Sequence, residues 1–344
     1  MTRVEKTKKT TIYDLAELTG VSASAVSAIL NGNWKKRRIS AKLAEKVTRI
    51  AEEQGYAINR QASLLLRSKK SNVIGMIVPK YDNRYFGSIA EKFEEMARAR
   101  GLLPIITCTR RQPELEIEAA RAMLSWQVDW VIATGATQPD KIAQMCQQAG
   151  VPTLNLDLPG TLAPSIISDN YMGAKLLTER ILANSQKRYG KLAPLTFVGG
   201  RISDNNTAER LRGFVDAHQA LGITVPDEHK LVTGYSSARV EGLLKEVFQS
   251  SAVSLHGLFV NSTISLEGVV RWLAQTGQTG ANQPPMGCFD WDPFVSLLGH
   301  DIDMVRQDVP AMLEKVFEIV DSGDTTLRRI EIPPQLIPSL NVVS

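Results

Sequence analysis

Cysteine is scarce: Cys108, Cys146 and Cys288 are the only three in 344 residues, widely separated and without a C-x-x-C pair. An odd number at such spacing excludes a disulfide framework and a cysteine zinc site, and leaves reduced thiols of the kind usually buried in a core. Long apolar runs are missing as well, none approaching the roughly 20 residues that span a bilayer. The opening ten residues are basic, and no apolar segment follows that would serve as a secretory signal. The expected location is the cytoplasm, and a solute-binding role in transport is disfavoured. Catalytic punctuation is also absent: there is no G-x-G-x-x-G, no P-loop and no G-x-S-x-G. His218, His229, His256 and His300 each stand without a nucleophile or metal partner spaced beside them. Neither an enzyme nor a resident metal or cofactor is expected.

With 43% apolar and 22% charged residues, the composition is that of a globular protein, and 344 residues suggest two or three domains. The formal charge of +4 conceals an asymmetry. Residues 1–71 hold 15 Lys/Arg against 6 Asp/Glu, an excess of nine, so the other 273 residues carry a net −5. One end is suited to a polyanion, and its periodic apolar residues let it fold.

Within that end, Thr11-Ile-Tyr-Asp14 has the form of a capped helix start, and Leu15, Ala16 and Leu18 supply a short apolar face. Gly20 can adopt the left-handed backbone of a helix end, and Ser22 can cap a second helix over Ala23 to about Leu30. Ser40 opens a third, Ala41 to Gln54, whose Leu43, Val47, Ile50 and Ala51 would close a small core. Two short helices around a glycine turn form either a helical hairpin or a DNA-binding helix-turn-helix. The charge decides for the second, because Lys35, Lys36, Arg37 and Arg38 follow the second helix directly. Such a cluster gains affinity for DNA by counterion release.

From Val73 onward, β-branched runs alternate with amphipathic helical stretches, the mark of a parallel α/β sheet. Strands are expected at Ile74 to Val78, Leu103 to Cys108, Val128 to Thr134, Pro152 to Leu156, Leu195 to Val198, Lys230 to Thr233, Gly257 to Val260 and Met286 to Phe289. Between the first two, Phe86, Ile89, Phe93, Met96 and Ala97 share one helix face, opposite Glu91, Glu94 and Arg98. Periodicity leaves a closed barrel and two doubly wound lobes equally open; in both, a ligand sits at the carboxyl ends of the strands.

The segment T-I-Y-D-L-A-E-L-T-G-V-S-A-S-A-V-S-A-I-L-N-G at 11–32 resembles the headpiece of lactose-repressor (LacI) family regulators. The likeness continues through I-S-A-K-L-A-E-K-V at 39–47, G-Y-A-I-N-R-Q-A at 55–62 and V-I-G-M-I-V-P at 73–79. The longer loop from Asn31 to Ile39 is similar to that of the fructose and sucrose repressor branch. The resemblance implies an all-α headpiece at 1–58, a hinge helix and linker at 59–71, and a periplasmic-binding-protein-like sensor at 72–344. Its first lobe would comprise about 72–171 and 309–330, its second about 172–305 and 331–344. The implied function is a repressor of carbohydrate-metabolism genes, a homodimer on a palindromic operator, whose DNA affinity is set by a small sugar or sugar derivative.

Carried over residue by residue, the resemblance implies DNA contacts from Thr11, Tyr13, Ser22, Ala23, Ser24, Ser27, Asn31, Lys35, Lys36, Arg37, Arg38, Asn59 and Ala62. It also implies a leucine wedged into the minor groove, at Leu65 or, in the alternative register, Leu66. The base-reading positions hold Ala23, Ser24 and Ala28, too short for the bidentate contacts of arginine or glutamine. Direct readout would then rest on Ser24, Ser27, a methyl contact or the 35–38 loop. For the effector, the resemblance implies Tyr85, Phe86, the Cys108 to Arg111 loop with Arg110, Asp157, Arg210, Tyr235, Asn261 and Asp290, and places Gln307 and Asp308 near a crossover between lobes. Phe86 has core packing as its rival role, Asp157 and Asp290 have helix capping, and Arg212 reads as a surface residue. Lys80, Arg84, Arg110 and Arg111, together with Arg210, suggest an anionic effector, a sugar phosphate or acid, although Asp157, Asp290 and Asp292 lie at the same end.

Overall fold

The computed structural model describes residues 10–56, 70–250, 254–295 and 302–339. Contacts divide the chain into two compact units, Met1–Asn72 and Val73–Ser344.

In the first unit, three helices, α1 (Ile12–Thr19), α2 (Ala23–Leu30) and α3 (Ala41–Glu53), surround a core of Leu15, Val26, Ile29, Ala44, Val47 and Ala51. Local chemistry fixes their ends. The Thr11 amide donates to the Asp14 carboxylate at 2.7 Å while the Asp14 amide donates back to the Thr11 hydroxyl at 3.3 Å, a reciprocal capping box. Gly20 ends α1 at φ 74°, a backbone that a side chain would strain. Ser22 accepts the Ala25 amide and Ser40 that of Leu43. One expected core residue turns outward: Leu18 is exposed, because the inward face of this short helix is taken by Leu15 and Thr19, with Ile12 and Ala16 packed beside them.

In the second unit the strands form two open six-stranded sheets rather than a barrel. The first sheet comprises β1 (Val73–Val78), β2 (Leu103–Cys108), β3 (Trp130–Thr134), β4 (Thr153–Leu156), β5 (Ser165–Ser168) and β11 (Arg329–Ile332), in the order β11-β5-β4-β3-β1-β2. The second comprises β6 (Thr196–Val198), β7 (Lys230–Leu231), β8 (Leu258–Val260), β9 (Met286–Phe289), β10 (Ile302–Arg306) and β12 (Gln335–Ile337), in the order β12-β10-β9-β8-β6-β7. All pairings are parallel except that of β10 with β12. Central strands are buried on both faces and read as continuous apolar runs, as in V-I-G-M-I-V.

Helices cover both faces of each sheet. Phe86, Ile89, Phe93 and Ala97 of the helix Arg84–Ala99 pack with Val316 and Phe317 on one side of the first sheet, and Ala119, Ala120, Met123 and Ile142 pack on the other. The chain passes between the sheets three times: from β5 into the helix Asn170–Tyr189, whose Ala174, Leu177 and Ile181 pack in the second core, from β10 into the helix Val309–Ser322 of the first, and from β11 to β12. The expected last switch at 330–331 falls inside β11, where Ile332 pairs with Ser168 and keeps the chain in the first sheet slightly longer. Four strands, β5, β10, β11 and β12, were not legible as apolar runs: they are short or carry charged residues, and pairing rather than propensity makes them strands.

Candidate functional site

Six-stranded parallel sheets carry function at the carboxyl ends of their strands. Here those ends bring together a cavity of about 180 Å³ within the second unit, lined among others by Lys80, Tyr85, Phe86, Arg110, Arg111, Asp157, Arg210, Tyr235, Asp290 and Gln307. Asp157 and Asp290 each follow the last residue of a buried strand, and both take a left-handed backbone, φ 73° and 72°. This turns their carboxylates across the strand ends rather than onto a following helix, so neither caps one. Such backbone is uncommon outside glycine and tends to occur where a site demands it.

Arg210, on the helix Asn205–Gln219, is only 3% exposed and fully engaged. Its Nε donates to Asn170 Oδ1 and its Nη1 to the Asn261 carbonyl, each at 2.7 Å, and Nη2 stands 3.9 Å from Asp290. Asn170 donates in turn to Asn206 at 3.1 Å, and Asn206 to Asp157 Oδ1 at 3.1 Å. The Tyr85 hydroxyl donates to the same Oδ1 at 3.1 Å. A continuous network therefore links the carboxylate of the first sheet to the arginine of the second. Burial pushes the Asp157 carboxyl up to about 6, against the pull of Arg111 and Arg210. Asp290 is raised by burial too, opposed chiefly by Arg210, and burial lifts the Tyr85 and Tyr235 phenols.

Gln307, the first residue after β10 and the short bend into Val309–Ser322, donates through Nε2 to Asp290 Oδ1 at 2.6 Å. Its Oε1 is buried without a hydrogen-bond partner. Asp308 instead accepts the Ala311 amide and caps the next helix.

The expected residues divide between the cavity and other roles. Asn261 does not line the cavity. Its carbonyl holds Arg210 while its side chain packs against Gly200, whose φ of 79° brings the backbone close. Phe86 is 7% exposed and serves both the first core and the cavity wall. Tyr235 lines the cavity, with its hydroxyl 3.3 Å from that of Thr207. Arg110 is exposed, and it is Arg111 that reaches inward, 3.4 Å from the Asp204 carboxylate. Arg84 points away to an ion pair with Asp292. Arg212 is a half-exposed residue stacked on Tyr171. Arg111 was legible only as part of the basic 108–111 loop, and Asn170, Asn206 and Asp204 had no distinct signal beyond the D-N-N run that opens the helix at 205.

In the first unit, Tyr13, Ser22, Ser24, Lys35, Lys36, Arg37 and Arg38 are exposed along α1, α2 and the following turn, and Thr11 is exposed as the cap. Ala23 and Ser27 are half-exposed, and the Asn31 amide donates to the Ser27 carbonyl at 2.7 Å. Trp34 packs on the three-helix core and anchors the basic turn, with the Lys35 ammonium 5.3 Å from its ring centroid. Ala28 is buried, so it belongs to the core and not to a base-reading face. Asn59, Ala62 and the hinge leucine, whether Leu65 or Leu66, lie outside the described residues.

Two descriptions of known families match this architecture: "Bacterial regulatory proteins, lacI family" over residues 11–59 and "Periplasmic binding protein domain" over 74–296. The chain belongs to the lacI family. It is 85% identical over 194 residues to the ribitol operon repressor of Klebsiella aerogenes, a match spanning 56% of this chain and 72% of that one. It is 28% identical over 304 residues to the sucrose operon repressor of Klebsiella pneumoniae, covering 88% and 89% of the two chains. Among solved structures, a lac repressor dimer bound to operator and an anti-inducer superposes with a TM-score of 0.79 at 20% identity, over 98% of this chain and all of that one (100%). This lacI-family chain is accordingly a DNA-binding transcriptional regulator and not an enzyme. No helix among its described residues is long and apolar enough to cross a membrane.

Proposed function

We propose that this regulator is a cytoplasmic homodimeric repressor that binds a palindromic operator through its three-helix headpiece and responds to a small uncharged polyol of the pentitol class. Ribitol is the first candidate, from the likeness to the ribitol operon repressor. The observation that carries the choice is the charge pairing in the cavity: its two inward arginines, Arg210 and Arg111, each face a carboxylate, and the carboxylates of Asp157 and Asp290 stand in the same lining. Ionised carboxylates only accept, so they favour a ligand that brings hydroxyl donors, as a polyol does and a phosphate dianion does not.

The structure also alters the charge argument for an anion. Arg210 and Arg111, the two arginines aimed inward, each face a carboxylate, and Arg84 is paired outside the cavity. What remains basic at the mouth is exposed Arg110, exposed Arg201, which shares Asp204 with Arg111 at 4.0 Å, and half-buried Lys80. Effector binding that favours one lobe arrangement over another would couple this site to DNA affinity.

Calorimetry of the full chain with ribitol, its pentulose counterpart, fructose and fructose 1-phosphate tests the reading, together with release of operator DNA in a gel-shift assay. Ribitol or its pentulose is expected to bind and change operator affinity. Tighter binding of the phosphate ester than of every neutral compound would refute the assignment.

A further inference from the structure

Arg111 belongs to the first sheet's side of the cavity and Asp204 to the second. Their ion pair, 3.4 Å long with side chains only 16% and 8% exposed, bridges the two lobes. The guanidinium also lies 5.8 Å from the ring centroid of Phe86, in the first lobe, and 5.2 Å from that of Tyr235, in the second. Arg110 and Arg111 both hold positive φ, 52° and 55°, so the backbone is bent specifically to deliver this side chain inward. Asp204 has a second cation at 4.0 Å, Arg201, and makes no capping hydrogen bond to the helix it precedes.

Resting on the polyol reading, we propose that Arg111, clasped by Asp204, Phe86 and Tyr235, is the specificity-determining gate of the effector site. It sets the upper size of the ligand and, because its charge is already answered, denies a phosphate its natural partner. Two physical consequences follow. The cavity beside this arginine, about 180 Å³, lies below the ~300–1,000 Å³ usual for sites that hold drug-sized ligands. A pentitol fits such a space, whereas a disaccharide requires the arginine to leave. An unpaired arginine would offer a planar two-pronged donor to a phosphate. Asp204 engages one prong of that donor, Nη1, and also sets its own negative charge against an incoming anion.

The gate separates size from charge, and two substitutions read them independently. Arg111→Ala opens the wall, and Asp204→Asn leaves the arginine in place but uncompensated. Full-length wild type and both variants are titrated calorimetrically with ribitol, its terminal phosphate ester and sucrose. Operator binding without ligand serves as the check that each variant is folded. Wild type is expected to prefer ribitol by at least about tenfold over the other two. Arg111→Ala should gain sucrose binding, and Asp204→Asn should gain the ester by about tenfold or more. If Arg111→Ala proves misfolded, Arg111→Ser replaces it with the same expectation. A ligand preference unchanged in both variants overturns the gate. Should wild type fail to bind ribitol, the polyol reading falls by itself. The gate then stands if Asp204→Asn still tightens the ester by about tenfold, and is overturned if it does not.

Discussion

Arg210 and Phe289 meet face to face, the guanidinium carbon 3.7 Å from the ring centroid. The aromatic floor and the acceptors around it hold the arginine in one orientation, with both its edges engaged by Asn170 and the Asn261 carbonyl. Lysine carries the charge but has no plane to stack and no fork to divide between two acceptors. Arg210→Lys is therefore expected to weaken effector binding by about tenfold or more, ~1.4 kcal/mol, while operator binding persists without being relieved by ligand. Calorimetry and gel shift on the same preparation check both halves. An affinity within a factor of about two of wild type would contradict the role given to the stacked fork.

Asp157 predicts a pH dependence of definite sign. Burial holds its carboxyl at about 6, above the ordinary 3.8 of an unfolded chain. Between those values the folded state retains the extra proton, so this group's contribution to stability falls as pH rises and its penalty is complete above about 6. Tyr85 and Asn206 both donate to Oδ1, so asparagine in the same pose keeps both bonds. Asp157→Asn should raise the ligand-free melting temperature at neutral pH, and raise it less at about pH 5. Effector affinity in wild type should increase as the carboxylate forms, and the variant should flatten that profile. An equal melting shift at both pH values would show that the carboxyl is ionised throughout.

Capping and charge in the headpiece give separable predictions. Ser22→Ala removes the oxygen that holds the Ala25 amide and should destabilise the headpiece by about 1 kcal/mol, visible in its thermal melting. Exposed Lys36 and Arg37 act through counterion release. Replacing both by alanine should lower the slope of log affinity against log salt by up to about 1.8, with little change in the preference for operator over random DNA. A loss of sequence preference with an unchanged slope would instead make them base-reading residues.

The division of contacts at Asn72 and Val73 predicts that a fragment beginning at Ser71 keeps effector binding and loses operator binding. Retention of specific DNA binding by that fragment would displace the DNA site from the headpiece. In the full chain, Leu65→Ala should lower operator affinity more than Leu64→Ala, since a single leucine wedge enters the central base step. A larger effect at Leu66 would move the register by one residue.

Sequence alone determined what depends on near neighbours and on periodicity. The Thr11 box, the Gly20 turn and the Ser22 and Ser40 caps each act within four residues, and the central strands announce themselves as apolar runs because both faces are buried. The charge excess before residue 72 and the aspartates ending two strands were equally legible. Only the tertiary structure decided which polar groups meet. Asn206 finds Asp157 across 49 residues and Arg111 finds Asp204 across 93, while Glu116, wholly buried, receives the amides of Thr137 and Gln138 from a neighbouring loop. The same kind of contact, an ion pair with Asp292, sent Arg84 outward. Local propensity specifies a backbone path, but a buried polar side chain takes its role from whichever partner the assembled sheets bring within hydrogen-bond reach, because leaving it unpaired costs more than any local preference supplies.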